Sequence, residues 1–372
     1  MSHIIFTRYL YLKDEVEIAL LASLLNKKDD ALFWAFELYF SGFESELIEI
    51  LWKIYYEFYY SLNPSFECYF LKKHKQFLSS SPEEKHKIIG MLFNDLLIRK
   101  YNLDVFLLKH VISSFEIENS DETLLSLLKK KNYENLALLI LETAREEDLE
   151  NIIAQCLDYF AINHDHIPLN REKIIKDLKK VSYKNKRIVI LSRIMNYYCL
   201  CNGIKMGKSL YVSVDIEDTI MYETIYKNDE HKLYHWQILS IACIYGTNDH
   251  NYLGLFKLKR NINKTTSIKP EYWYHWLYHA AFSPIWGARI KDFGGILNHE
   301  TKKIDFPDDD ILEEFCENYG YEPDEQKLEV QKKNIPDISN EITWAKFHEI
   351  HKNNSLYNIS QEQLVELEEI VL

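Results

Sequence analysis

Glycine and proline are scarce in this chain: ten and eight among 372 residues, with only Gly42, Gly90, Pro64, Pro82 and Pro168 in the first two hundred. Such sparse punctuation argues for helices joined by short polar turns. Paired cysteine spacing is missing as well. Cys68, Cys156, Cys199, Cys201, Cys243 and Cys316 show nothing closer to a motif than Cys199-Leu-Cys201, so they read as reduced thiols of a cytosolic protein. No run of eighteen apolar residues exists, and Arg8, Lys13 and Asp14 interrupt the N-terminal stretch. The expectation is a protein neither secreted nor membrane-spanning. Positive charge is in deficit, 44 Lys and Arg against 57 Asp and Glu for a net −13. That excludes a surface that coats nucleic acid along its whole extent and leaves room only for a local basic face.

What is present is apolar and aromatic, 47% and 14% of the residues, enough for a substantial core. The densest stretch is Ala31–Gly42 followed by Phe43–Tyr59. Phe33, Trp34, Glu37, Leu38 and Phe40 recur at helical spacing, and Ser41-Gly42 supplies a stop. A second helix starts behind Ser45. Trp34, Phe36, Phe40, Leu51, Trp52, Tyr55 and Phe58 carry more apolar area than one hairpin can bury on itself, so other helices must pack on it. A first helix begins near Lys13. Ser81 as N-cap with Pro82 behind it starts another, and further helices are expected over 83–99, 102–114, 121–131, 133–144 and 146–163.

The expected class is therefore all-α in the main: stacked helical hairpins of a HEAT-like or related solenoid, with a small β-hairpin near 295–306 turning at Glu300-Thr-Lys. Segments 1–205, 206–292 and 293–372 read as a hairpin array, a mixed and mainly helical domain, and a β-hairpin with an acidic helical tail. Within the second, Ser209–Val214 suggests a strand, 216–226 and 231–244 suggest helices, and Glu271–Phe282 an aromatic helix. The helix from Asp308 ends with Gly320 at its C′ position. The last fifty residues read as a flexible or partner-binding tail.

Two basic runs stand out. One holds Arg171, Lys173, Lys176, Lys179, Lys180, Lys184, Lys186, Arg187 and Arg193 against only Glu172 and Asp177; the other holds Lys257, Lys259, Arg260, Lys264 and Lys269. Brought together they would form a face for a phosphodiester backbone; left apart they are solvated surfaces that offset an acidic protein.

Motifs for chemistry fall short. Gly203-Ile-Lys-Met-Gly-Lys-Ser209 imitates a phosphate-binding loop but has three residues between its glycines where four are needed. The pairs His231/His235 and His275/His279 are one helical turn apart and lack a third metal ligand. His164-Asp-His166 reads as a loop, and no nucleophile elbow occurs. Trp273, Tyr274, Trp276, Tyr278 and Trp286 suit a core better than a base-stacking surface. No catalytic residue, cofactor or metal is expected, and no enzymatic activity. Tyr133-Glu-Asn-Leu-Ala-Leu138-Leu139 matches the short helical motif by which translation-initiation scaffolds dock the cap-binding protein, with Tyr133, Leu138 and Leu139 on one face. Among 26 tyrosines one such match arises by chance.

Leu32–Glu44 with its second helix, together with Ser283–Lys291, Asn298–Ile304 and Tyr319–Gln331, resembles a family of proteins from nucleocytoplasmic large DNA viruses, the giant viruses. The resemblance implies a source and a compartment, the host cytoplasm, viral factory or virion, without implying a reaction. The functional expectation is a non-enzymatic helical scaffold that joins viral or host proteins. In its sharpest form it is a translation-initiation scaffold bridging cap-binding protein, helicase or RNA. The alternative is a virion structural or core-packaging protein.

Overall fold

The computed structural model describes residues 5–117, 122–163, 171–181, 183–224, 269–319 and 344–369. Among these the chain is mostly helical, as expected. The helices are α1 (Lys13–Leu25), α2 (Asp30–Phe40), α3 (Glu44–Ile54), α4 (Phe66–Ser79), α5 (Pro82–Leu97), α6 (Asp104–Ser114), α7 (Leu124–Lys130), α8 (Tyr133–Leu138) and α9 (Leu149–Asn163). They continue with α10 (Arg171–Leu178), α11 (Lys186–Cys201), α12 (Glu217–Thr224), α13 (Lys269–Ala280), α14 (Pro284–Asp292), α15 (Asp309–Tyr319), α16 (Trp344–His351) and α17 (Gln361–Glu369). The strands β1 (Ile296–Asn298) and β2 (Lys303–Asp305) pair antiparallel with Leu297 opposite Ile304. Their turn is closed by Asn298 Oδ1, which accepts from the Glu300 and Thr301 amides. Two compact units emerge: Met1–Leu47, Ile89–Phe93 and Ser213–Ile342 form one, and Ile48–Ile88, Asn94–Val212 and Thr343–Leu372 the other.

In the first unit, α2 stops where the sequence says it should. Gly42 has φ +88°, and the amides of Gly42 and Phe43 turn back to the carbonyls of Tyr39 and Leu38 at 3.0 and 3.1 Å, a Schellman closure. A Cβ on Gly42 would stand 2.6 Å from that of Pro284, so packing as well as conformation demands glycine. The core gathers Phe6, Leu10 and Leu12 with Trp276, Ala280, Trp286, Ile290 and Phe315. The Trp286 indole donates to the Thr7 carbonyl at 2.9 Å. Trp276, Tyr278 and Trp286 are thus core aromatics, whereas Tyr274 is 71% exposed.

In the second unit the expected helix through Tyr59 changes pitch. The α-helical part of α3 ends at Ile54, and Tyr55–Tyr59 form a π-turn closed by the Tyr60 amide on the Tyr55 carbonyl at 2.7 Å. All five of its residues are buried. A second π-turn, Leu139–Thr143, extends α8. The Ser81 side chain caps α5 by accepting from the Glu84 amide, with Pro82 at the first helical position, as the sequence predicts.

Two expectations change. Ser209–Val214 pairs with no strand; the Arg99 guanidinium donates to the Leu210 carbonyl at 2.6 Å, and the Val212 amide donates to Asp95 at 2.9 Å. Side chains at the C-terminal end of α5 and just beyond it thus take the place of a neighbouring strand. Nor is 344–369 a free tail. Asp104 accepts from the Ser355 hydroxyl and from the amides of Leu356 and Tyr357, while Trp344 stacks on Phe106 with ring centres 5.7 Å apart. The expected helix at 231–244 and Gly320 lie outside the described residues.

Candidate nucleic-acid interface

The sequence of α4, Phe-Glu-Cys-Tyr-Phe-Leu-Lys-Lys-His-Lys-Gln-Phe-Leu-Ser, puts Phe66, Glu67, Phe70 and Phe77 on a buried face. Phe70 stacks on Trp52 with ring centres 3.6 Å apart. The carboxylate among these aromatics needs compensation. Glu67 receives it from one Arg193 nitrogen, which donates to both its oxygens at 2.9 and 3.1 Å, and from the Tyr56 hydroxyl at 2.7 Å. Burial pushes the Glu67 carboxyl above its ordinary range, and the Arg193 charge opposes that push. Burial, then the neighbouring Glu67, holds the Tyr56 phenol well above its usual value, so that hydroxyl stays a donor.

Arg193 reaches further. Its other Nη donates to the Ile174 carbonyl of α10 at 3.1 Å, so one guanidinium on α11 supports both α4 and α10. Over this support lies a groove of about 320 Å³ lined by Glu67, Cys68, Leu71, Lys72, Lys75, Asp177 and Lys180. Lys72, Lys75 and Lys180 are exposed. Since Glu67 is matched by Arg193, the three lysines face one further carboxylate, Asp177, which pairs with Lys180 at 3.1 Å. The groove is cationic, and its floor is neutral as a pair.

The basic run read from the sequence divides here. Lys180 lines the groove. Lys173 and Lys176 are exposed on α10. Lys179 pairs with Glu150 at 3.2 Å and Lys184 with Glu49 at 2.7 Å. Lys186 is exposed at the start of α11, whereas Arg187 turns inward and donates to the carbonyls of Ile140 and Ala144, both at 2.7 Å. It caps the end of the second π-turn. Arg193, counted with the run, is 3% exposed and belongs to the core. Lys257, Lys259 and Arg260 lie outside the described residues. The lysines that join Lys180 instead come from Lys72-Lys73-His74-Lys75. The sequence signal was there, a cationic cluster on the polar side of α4's aromatic stripe, but nothing local said that α10 would lie opposite.

Tyr133, Leu138 and Leu139 are half-buried. The Tyr133 ring meets Tyr198 edge-on with centres 5.0 Å apart, and burial pushes its phenol up to about 12. Next to it, Glu134 accepts from the Tyr357 hydroxyl and the Gln363 amide. Helix α8 is already engaged with its own chain. Gly203, first glycine of the loop-like motif, has φ +70° and ends α11; no helix follows before Glu217, so Lys208 has no helix N-terminus to share a phosphate with. His275 sits at a kink in α13, its Nδ1 3.0 Å from the Lys302 carbonyl oxygen. Among the described residues no group of three or more His, Cys, Asp or Glu side chains is placed to hold a metal ion, and no helix is long and apolar enough to cross a membrane. Comparison with protein-family models, curated proteins and solved structures yields no match.

Proposed function

We propose that this chain is a non-enzymatic helical interaction scaffold that engages RNA through the groove between α4 and α10. The observation that carries this reading is the convergence of Lys72, Lys75 and Lys180 over a buried, internally neutralised Glu67–Arg193 pair. Three exposed lysines around an open groove, one of them shared with Asp177, suit a phosphodiester backbone, which needs positive charge at successive phosphates and tolerates flexible donors. The wider setting proposed is viral gene expression, with the scaffold bridging RNA to protein partners such as a cap-binding protein or helicase. That setting rests on the resemblance alone, since the helix that carries the Tyr133 motif is engaged with Tyr198, Tyr357 and Gln363 of its own chain. The groove reading is independent of it.

The test is equilibrium binding of the purified full chain to a fluorescent single-stranded RNA across a salt series. Affinity should fall linearly with salt on logarithmic axes, and each groove lysine converted to glutamine should reduce the slope by about 0.7. An unchanged slope in the Lys72→Gln/Lys75→Gln protein would remove the groove from consideration.

A further inference from the structure

The extended chain at 210–212 presents one aromatic ring on the flank of α4 that carries Phe66 and Tyr69. Leu210 is held by Arg99 at its carbonyl, and Val212 is held by Asp95 at its amide. Asp95 and Arg99 are themselves paired at 3.3 Å, so the anchors come from the last turn of α5 and the residues just beyond it. Between them Tyr211 is forced outward and is 45% exposed. Its ring lies 4.2 Å from that of Tyr69 and 6.4 Å from that of Phe66, tilted by 33° and 22° respectively. The Arg99 guanidinium sits over both Phe66 and Tyr211, at 4.2 and 5.4 Å.

Phe66 and Tyr69 are one helical turn apart on α4, and both pack against Tyr211. Nearly half of the Tyr211 surface is left to solvent. Large aromatics are costly to expose, yet here two buried charged side chains hold one in place. The Tyr69 phenol is itself fixed: burial, followed by the charge of Asp95 and a hydrogen bond to it, pushes it up to about 12. Around the ring the charge is positive. The Lys73 ammonium stands 5.7 Å over the Tyr69 ring, and Lys208 is exposed three residues before Tyr211. At roughly 100° per residue, Lys72 points from α4 between the groove face and the Tyr69 flank.

We propose that Tyr211, packed against Tyr69 and Arg99, is a base-stacking platform which, reached across α4 by way of Lys72, makes the lysine groove selective for single-stranded nucleic acid. This rests on the reading of the groove as a nucleic-acid site and adds what reads the strand. Phosphates lie along Lys72, Lys75 and Lys180, and an unpaired base turns its face onto the exposed part of the Tyr211 ring. A duplex, whose bases are stacked on each other, cannot supply that face. The Arg99 cation 5.4 Å over the ring favours stacking.

The experiment uses the full chain and three fluorescein-labelled probes: a single-stranded oligouridylate of roughly 12 nucleotides, its oligothymidylate counterpart and a duplex of the same length. Tyr211→Leu keeps an apolar cover over Phe66 and Tyr69 but removes the π-face, and circular dichroism checks that it folds as the parent does. Single-strand affinity should fall about tenfold in Tyr211→Leu, stay near the parent in Tyr211→Phe, and leave duplex affinity unmoved. In Tyr211→Trp, indole fluorescence beyond that of the parent should be quenched on adding the RNA. Equal losses with oligouridylate and oligothymidylate support the platform, because every base has a π-face; a loss for RNA alone overturns stacking in favour of a ribose contact. If Tyr211→Leu binds single strands as the parent does while Lys72→Gln/Lys75→Gln does not, the platform fails and the groove stands. If the parent binds no nucleic acid at low salt, the groove reading fails and the platform with it. Displacement of the RNA by poly-glutamate at equal charge overturns both in favour of an acidic protein partner.

Discussion

Among the described residues each unit buries an arginine–glutamate pair in aromatic surroundings, and the two pairs serve different ends. In the first unit Arg8 donates to Glu37 at 2.9 Å, and its remaining nitrogens reach the Tyr222 and Glu223 carbonyls. The second Glu37 oxygen accepts from the Tyr9 amide at 3.0 Å. The guanidinium also lies over the rings of Tyr9 and Phe40, at 4.4 and 4.6 Å. That pair ties the N-terminal stretch, α2 and α12 together and is sealed. In the second unit Glu67 and Arg193 are almost as buried, yet Glu67 also lines an open groove rimmed by lysines. The same chemical solution closes a core in one place and floors a surface in the other. A buried carboxylate beneath lysines would weaken any anion site above it, and its pairing with Arg193 removes that penalty.

Breaking the pairs separates the two roles. Glu37→Ala strands Arg8 in the core and should cost about 3–5 kcal/mol, read by urea unfolding, with RNA binding by the remaining folded protein unchanged. Glu67→Ala should cost a similar amount, about 3–5 kcal/mol, because Arg193 and the Tyr56 hydroxyl both lose their acceptor. Unlike Glu37→Ala, it should also alter the RNA salt dependence. If the two variants affect binding equally, the contrast between sealed and open pair is wrong. Next in size is Asp104→Ala, which leaves the Leu356 and Tyr357 amides unsatisfied at a cost of about 1–3 kcal/mol. Faster amide exchange confined to 344–369 would show that this segment is held by that one carboxylate.

Much of the fold was legible because its signals are local. The Ser41-Gly42 stop, the Ser81-Pro82 start and the short β-hairpin each rest on residues within a turn of one another. The packing role of Trp276, Tyr278 and Trp286 followed from aromatic content alone. The candidate site was legible only in part, because pairing across long separations decides it. A count of lysines cannot say that Lys184 meets Glu49 while Lys180 meets α4, and Arg8, read only as a charge that breaks an apolar stretch, turned out to be the hub of a core. The π-turn at Tyr55–Tyr59 was hidden for another reason. Its residues suit an α-helix as well, so nothing local marks the change of pitch.

A pH titration sharpens the view of the second unit as the one with titratable seams. Burial, with Lys109 and Lys53 adding to it, pushes His110 down to about 3, and burial pushes His351 down to about 4. The Tyr101 hydroxyl and His351 Nδ1 lie 2.7 Å apart, so the neutral ring is the one that fits. Both folded values lie below the ordinary 6.5; the unfolded chain therefore binds more protons in between, and stability is lost as pH falls from about 6.5 toward 4. The buried carboxyls Glu67, Asp95 and Asp104 are raised by burial and contribute with the opposite sign, gaining stability on acidification. His351→Asn separates the two, since it should flatten the fall between pH 6.5 and 4; a profile as steep as the parent's would assign the loss elsewhere.

The smallest effects test the groove most sharply. Lys179 and Lys184 carry the same charge as Lys72 and Lys75, are similarly exposed, and belong to the run that the sequence alone marks as basic; they differ in having acidic partners, Glu150 and Glu49, and in lying off the groove lining. Exposed pairs of this kind are worth about 0–1 kcal/mol, so Lys179→Gln and Lys184→Gln should leave stability within that range. If RNA follows total charge, either change should weaken binding as much as Lys72→Gln, because each removes one unit from the same surface. If RNA follows the groove, Lys72→Gln and Lys75→Gln should each lower the salt slope by about 0.7 while the other two leave it unmoved. Four single substitutions of equal charge therefore decide whether position or composition makes this face basic in the sense that matters to a phosphate.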